Sequence, residues 1–246
     1  MKSLKLYVSA CLLACSTMAS AQFTTGNAGG GATTSAADTE GWSKIYVSYD
    51  PMTAEYDVDG ADDLDFTGIS FGFAKGFSIS QSMPLFVEAG LGLTYGWWSE
   101  DDGESDSEDG YSYSYSFEEK IKMFSLKVPV NLAYKFAIPN SNISVTPYAG
   151  ISMRLNLSAK GEWEESESYT YRGETESESD SGDYDLFDED DMGEDNTWNR
   201  FQIGWQIGAN VDFNNFTVGV QYGSDFNEIS EKCKLSTTSI SVGFKF

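Results

Sequence analysis

The sequence contains no histidine. Small membrane-barrel hydrolases and acyltransferases generally rely on histidine as general base, and no Ser or Asp pair here has a spacing that replaces it. No catalytic residue is assigned, no cofactor is implied, and the chain is expected not to be an enzyme. Cysteine is nearly as scarce. Of three, Cys11 and Cys15 fall in the N-terminal leader, which leaves Cys233 alone and no internal disulfide. Cations are few: 15 Lys and Arg stand against 39 Asp and Glu, a formal net charge of -24. Such a surface repels phosphates and excludes nucleic acid as a partner. Beyond the leader, no stretch is apolar over the roughly 20 residues that a membrane-spanning helix needs. An exported chain of this kind either stays soluble or crosses a membrane as a barrel.

Export is expected from residues 1–21. Lys2 and Lys5 supply the positive start, Leu6 to Ala14 the apolar middle, and Ala19-Ser20-Ala21 a small-residue cleavage site. Leu12-Leu13-Ala14-Cys15 also fits a lipoprotein signal, in which Cys15 becomes the mature N-terminus. Residues 22–41 are rich in Gly, Ala, Ser and Thr without periodicity, and read as a flexible lead-in to a domain over 42–246.

What the chain does have is alternation. From Phe124 to Phe136 the even positions are Phe, Leu, Val, Val, Leu, Tyr, Phe, with Ser125, Lys127, Pro129, Asn131, Ala133 and Lys135 between them. The pattern resumes from Val145 to Leu157, with Arg154 on the polar side. Side chains alternate faces along a strand, so each segment has one apolar and one polar face. About ten such residues with an aromatic at each end match a strand that is apolar towards lipid and polar towards a lumen. Eight segments follow this rule: about 42–50, 66–77, 85–98, 124–136, 145–157, 200–213, 216–223 and 236–246. Glycine recurs on their polar face (Gly72, Gly90, Gly92, Gly150, Gly204, Gly208, Gly219, Gly243), as crowding inside a narrow barrel requires.

The connections alternate in length. Those after the second, fourth and sixth strands are short; those about 51–65, 99–119, 158–197 and 224–235 are longer and read as loops. The first three of these hold 6, 9 and 16 acids. Short turns on one side and long loops on the other are the outer-membrane pattern. The expected fold is all-β: an eight-stranded antiparallel up-and-down transmembrane β-barrel with short periplasmic turns and long acidic extracellular loops. A secreted β-sandwich is the soluble alternative.

Two sets of residues stand out. Lys44, Glu88, Lys127, Arg154, Asp212 and Lys245 fall on the expected inner face, where Glu88, Lys127 and Arg154 on neighbouring strands would form one ion network. Such charges either satisfy one another and fill the lumen or line a narrow ion path. In the loops, Tyr111, Tyr113 and Tyr115 alternate with serines, and Trp163, Tyr169 and Tyr171 lie among Ser and Glu. These aromatics are candidate contact residues, carried on strands four and five continued above the membrane, with a bulge near Glu118–Lys122 to reconcile their phase with the lipid-facing one. Asp57-Val-Asp59-Gly60 and Asp188 to Gly193 look superficially like calcium loops but lack the glutamate at the twelfth position, so no metal site is assigned. Divalent cations are expected at the loops only as diffuse counter-ions.

The stretch Ser125-Leu-Lys-Val-Pro-Val-Asn-Leu-Ala-Tyr-Lys-Phe136, followed by Pro147-Tyr-Ala-Gly150, resembles the Bacteroidota outer-membrane β-barrel (PorT-like, "porin family") proteins. Val242-Gly-Phe-Lys-Phe246 looks like the aromatic last strand that the barrel-assembly machinery recognises. The resemblance implies the Gram-negative outer membrane, with lipid and the assembly machinery as partners, loops outside and both termini periplasmic. The family is functionally diverse. The expected function is surface structure or adhesion-type binding of an extracellular ligand by acidic, aromatic-bearing loops; the alternative is a small channel or porin with a charged lumen.

Overall fold

The computed structural model describes residues 39–58, 60, 63–108 and 110–246. The leader at 1–21 and nearly all of the lead-in lie outside them, as does Asp59 of the first calcium-like motif. The strands are β1 (Trp42–Tyr49), β2 (Met52–Tyr56), β3 (Leu64–Ser78), β4 (Leu85–Glu108), β5 (Tyr111–Tyr134), β6 (Phe136–Ala137), β7 (Ile143–Tyr171), β8 (Glu174–Asp185), β9 (Phe201–Phe213), β10 (Phe216–Asp225) and β11 (Cys233–Lys245). One helical turn, α1 (Glu189–Met192), follows β8.

Each barrel strand pairs antiparallel with the next, and β11 pairs back onto β1 (Val47 opposite Val242) and β2 (Ala54 opposite Leu235). Since β1 and β2 are one strand interrupted at Asp50-Pro51, the ring closes with eight strands. Closure leaves no edge at membrane depth, the condition for spanning lipid without a helix. It also removes the sandwich alternative.

The alternation sorts as the physics demands. Phe71 is 60% and Val242 59% exposed on the outer wall, an arrangement stable only against an apolar solvent. Aromatics mark both borders of this belt. Tyr49, Ile69, Tyr95 and Phe124 lie in one cross-strand row near the loop end, and Phe213, Phe216 and Phe244 in another near the turn end. Inside, Gly72 leaves room for the Tyr46 ring, which occupies the place a Cβ would take. The two-residue turn at Asn214-Asn215 is made possible by Asn214 at φ +51°.

The acidic segments are mostly not loops. A membrane strand needs about 9–11 residues, yet β4 has 24, β5 24 and β7 29. Their upper parts continue the pairing to Glu108 opposite Tyr111 and Tyr111 opposite Tyr171. With β8, which pairs only with β7, they form a four-stranded sheet in the order β4–β5–β7–β8. At about 3.3 Å per residue, Trp98 to Glu108 carries this sheet on the order of 35 Å beyond the belt. Thus nearly all of 99–119 and most of 158–197 are strand, and β2, the start of β3, the end of β10 and the start of β11 take up parts of 51–65 and 224–235.

The register irregularity sits at Phe124/Ser125 of β5, where Leu157 of β7 is skipped, and not at Glu118–Lys122. β5 therefore needs no bulge. Its odd phase runs unbroken from lumen-facing Lys127, Ser125 and Met123 up to Tyr115, Tyr113 and Tyr111. The tyrosines lie on the face that continues the barrel interior.

Candidate functional site

Three layers are stacked along the barrel axis. The lowest is the ionic interior. Lys44 lies 3.1 Å from Glu88, Arg154 3.3 Å from Asp225, and Lys245 2.7 Å from Asp212. The Trp42 indole also donates to Glu88 at 2.9 Å. All six expected residues face inward, but Glu88 bonds neither Lys127 nor Arg154. Lys127 and Arg154 are direct cross-strand neighbours, a like-charge juxtaposition that disfavours a pair of their own. Two carboxylates missing from the sequence reading complete the set. Asp225 ends β10 beside Arg154, and Asp50, at the β1–β2 break, accepts from Ser48 at 3.0 Å and from Ser70. Four cations then face four carboxylates. Neutrality was the available signal: four buried cations with two acids is too costly in a low-dielectric interior. A cavity of about 60 Å³ between these groups is lined by Lys127, Asp50 and Gln206 among others, enough for a few waters.

The second layer closes the loop end. Met52, Phe66, Ile121, Met123, Ala159 and Leu235 point in from the wall and meet Leu186, Trp198 and Ile229 from the connections above. Trp198 is 4% exposed and packs edge-on against Phe66, ring centroids 6.1 Å apart. The lid backbone is tied down by Leu186 N–H to Ala159 O at 3.0 Å, Trp198 N–H to Leu186 O at 2.7 Å and Asn199 N–H to Ile229 O at 2.6 Å. Arg200 stacks over Phe187 at 4.0 Å. Cys233 belongs to this cluster and is fully buried; burial raises its thiol pKa. Its neighbour Tyr56 is pushed up to about 12, chiefly by burial and then by the thiol. Sequence reading missed the lid because Leu186 and Trp198 are isolated apolar residues in an acidic run.

In the second calcium-like motif, Asp188 is the N-cap of α1, accepting from Asp190 N–H at 2.9 Å. No group of three or more potential ligands gathers among the described residues.

The third layer is the protruding sheet, whose faces differ. Across one, Tyr111 stands opposite Tyr171, Tyr113 opposite Tyr169, and Glu119 opposite Trp163. The register thus brings all six expected aromatics to one face, and the Tyr111 and Tyr169 rings meet edge-on at 4.9 Å. Acids border this stripe. Glu104, Asp106 and Glu108 of β4 stand opposite Tyr115, Tyr113 and Tyr111, while Glu174 and Glu176 of β8 stand opposite Tyr171 and Tyr169. Desolvation among its neighbours, and then the field of Glu167 and Glu104, raises the Tyr113 hydroxyl pKa. The other face is a hydroxyl ladder: Ser114 and Ser168 lie 3.0 Å apart, Ser116 and Ser166 2.9 Å, Thr170 and Thr175 2.8 Å. At the base of the aromatic face, Gly161 and Gly182 accept the rings of Tyr184 and Trp163 where a Cβ would clash. Tyr184 donates to Glu119.

Several solved structures are similar to this chain. The crystal structure of Ail, the attachment invasion locus protein of Yersinia pestis, is similar at 13% identity and a TM-score of 0.39, covering 84% of this chain and 99% of that one. Neisserial surface protein A matches at 13% identity and a TM-score of 0.38, covering 83% and 97%. The outer membrane enzyme PagL also matches at 13% and 0.38, covering 80% and 98%. Among curated proteins no sequence matches. The family model described as "Outer membrane protein beta-barrel domain" matches residues 31–230. With that match over most of its length, a closed eight-stranded ring and an apolar outer belt, the chain belongs to the outer membrane protein β-barrel domain family and resides in the Gram-negative outer membrane.

Proposed function

We propose that the protein is a non-enzymatic surface barrel whose wall holds the four-stranded sheet outside the cell for adhesion-type binding. The observation that carries this reading is the register that gathers Tyr111, Tyr113, Tyr115, Tyr169 and Tyr171 on one face. Aromatic side chains give large contact area at low entropic cost, which is why interfaces are enriched in them. In this orientation the short turns and both termini are periplasmic, and the barrel-assembly machinery inserts the chain through its last strand. The Ser125–Phe136 and Pro147–Gly150 motifs support kinship with the Bacteroidota branch. The interior charges serve as a neutral filling that fixes strand register, and divalent cations act as diffuse counter-ions around the sheet.

The test trims the sheet above the lid, joining Glu100 to Glu119 and Glu162 to Asp183 by short turns at positions that are already cross-strand partners, which keeps Tyr184 and its bond to Glu119. The trimmed barrel should still shift on an unboiled denaturing gel, while attachment of cells to host surfaces or matrix is lost. Unchanged attachment by the trimmed strain would reject the reading. The polar interior supports the channel alternative, but the apolar lid across the loop end weighs against it. Planar-bilayer recordings should show no steady conductance.

A further inference from the structure

The aromatic face carries a charge problem that its own residues do not solve. Glu165 stands opposite Asp180, and Glu167 opposite Glu178, across the β7–β8 pairing. Like charges directly opposite destabilise a sheet. Yet among the described residues the nearby lysines with ion pairs, Lys120 to Glu118 and Lys122 to Glu162, are in the other phase, on the hydroxyl face near its base. Between β4 and β8 the aromatic-face positions are Tyr, Phe, Asp or Glu from Asp102 to Glu108, Tyr111 to Phe117, Glu165 to Tyr171 and Glu174 to Asp180.

Keeping sheet edges soluble by charge explains part of this, since acidic edges keep copies of the chain apart. It does not explain why the middle of the same face is aromatic. Tyr169 and Tyr171 are 44% and 50% exposed. A tyrosine ring flanked by carboxylates one strand away suits a cation lying over the ring. The chain itself shows the fit: at the β7–β8 turn the Arg172 guanidinium lies 5.1 Å over the Tyr171 ring.

We propose that this face docks an extended polypeptide segment with Arg or Lys at every second position, running along β5 with successive cations over Tyr113 and Tyr115, where Tyr169 flanks Tyr113 from β7 and Glu104, Asp106 and Glu167 supply the carboxylates. This deepens the surface-binding reading and rests on it. The repeat matches because alternate residues along β5 and along an extended ligand both recur about every 6.6 Å on one face. Arginine is favoured over lysine because its planar group stacks on aromatic rings and forks onto carboxylates. A second copy of the chain does not fit, since two acidic faces repel.

The experiment uses the full-length folded barrel in nanodiscs. The probes are a twelve-residue peptide of alternating Arg and Thr, an isomer with the six arginines in one block, and calcium ion alone. The alternating peptide should bind at least about 10-fold more tightly than the block isomer. The triple variant Tyr113→Ala, Tyr115→Ala, Tyr169→Ala, which leaves the net charge unchanged, should weaken it about 10- to 100-fold. Ser114→Ala with Ser168→Ala, on the opposite face, should change nothing. Equal affinity for the two peptides, or indifference to the triple variant, would mean diffuse attraction only and overturn the proposal. So would millimolar calcium displacing the peptide fully at constant ionic strength. Lost attachment by the trimmed barrel with no alternating-peptide preference sinks this inference and leaves the surface-binding reading intact.

Discussion

Replacing Trp198 by alanine tests the lid, because the lid lies outside the closed ring of strands and is held by its own packing and a few backbone hydrogen bonds. Trp198 is 4% exposed and fills the space between Phe66, Leu186 and Ile229. Truncating a buried Trp to Ala typically costs about 3–5 kcal/mol. Most of that loss falls on the lid rather than the wall, since β1 to β11 remain hydrogen-bonded around the ring and regions open locally with their own free energies. Cys233 reports the opening. Its side chain is inaccessible in the closed state, so a maleimide reacts only when the lid lifts. At about 1.36 kcal/mol per tenfold, the lower figure raises the open population, and hence the labelling rate, by about 10²-fold. Peptide mass mapping assigns the adduct to Cys233 separately from the leader cysteines. Tyr113→Ala at the sheet tip is the control and should leave the rate unchanged. Wild-type labelling at the rate of a free thiol, or a Trp198→Ala variant that folds yet labels no faster, would show that Cys233 does not lie beneath a lid.

Two further outcomes follow from the interior and the lid. Lys245→Met leaves Asp212 buried without its 2.7 Å partner and should destabilise the barrel by about 3–5 kcal/mol, whereas Lys245→Met with Asp212→Leu recovers most of the loss; urea midpoints of tryptophan fluorescence in detergent decide it, and an additive double variant would refute a direct pair. The lid should loosen in alkali. The pKa values of Tyr56, pushed up to about 12, and of Cys233 are both raised in the folded state by burial. Their contribution is therefore complete below the unfolded values, about 8.5 for a thiol and 10 for a phenol, and is lost as pH climbs through the folded ones. Trp198 emission should red-shift above about pH 9, and Tyr56→Phe should shrink the part of the shift that develops above about pH 10 while leaving the onset to Cys233; a shift that ignores Tyr56→Phe contradicts the assignment.

The barrel wall was legible because its alternation is apolar against polar, as in Leu126, Val128 and Val130 against Ser125, Lys127 and Asn131. The sheet above it was legible only in part. Tyr111 to Phe117 alternate with serine, and that pattern did signal strand. In Glu174 to Asp185 the alternation is Glu against Ser, two hydrophilic residues, so the hydropathy period vanishes although the strand is real. β8 is specified by its partner β7 and not by any preference of its own. Asp225 was hidden because it falls in the stretch 224–235 read as a loop, and Asp50 was passed over as the last residue of the first strand; both complete the interior. The tyrosine phase was read correctly as differing from the lipid-facing one. The bulge invoked for it was unnecessary, because the odd positions of β5 continue the lumen face without a break.

The central claim is that the strands crossing the membrane continue above it as one hydrogen-bonded sheet. Amide hydrogen exchange of the nanodisc-embedded protein tests it most directly. Residues 111–119 and 160–171 belong to the two inner strands of the sheet, paired on both sides, and should exchange orders of magnitude more slowly than the exposed connection 80–84. Exchange in those segments as fast as in an unstructured chain would mean that the acidic stretches are loops after all, and the aromatic face with its proposed ligand would go with them.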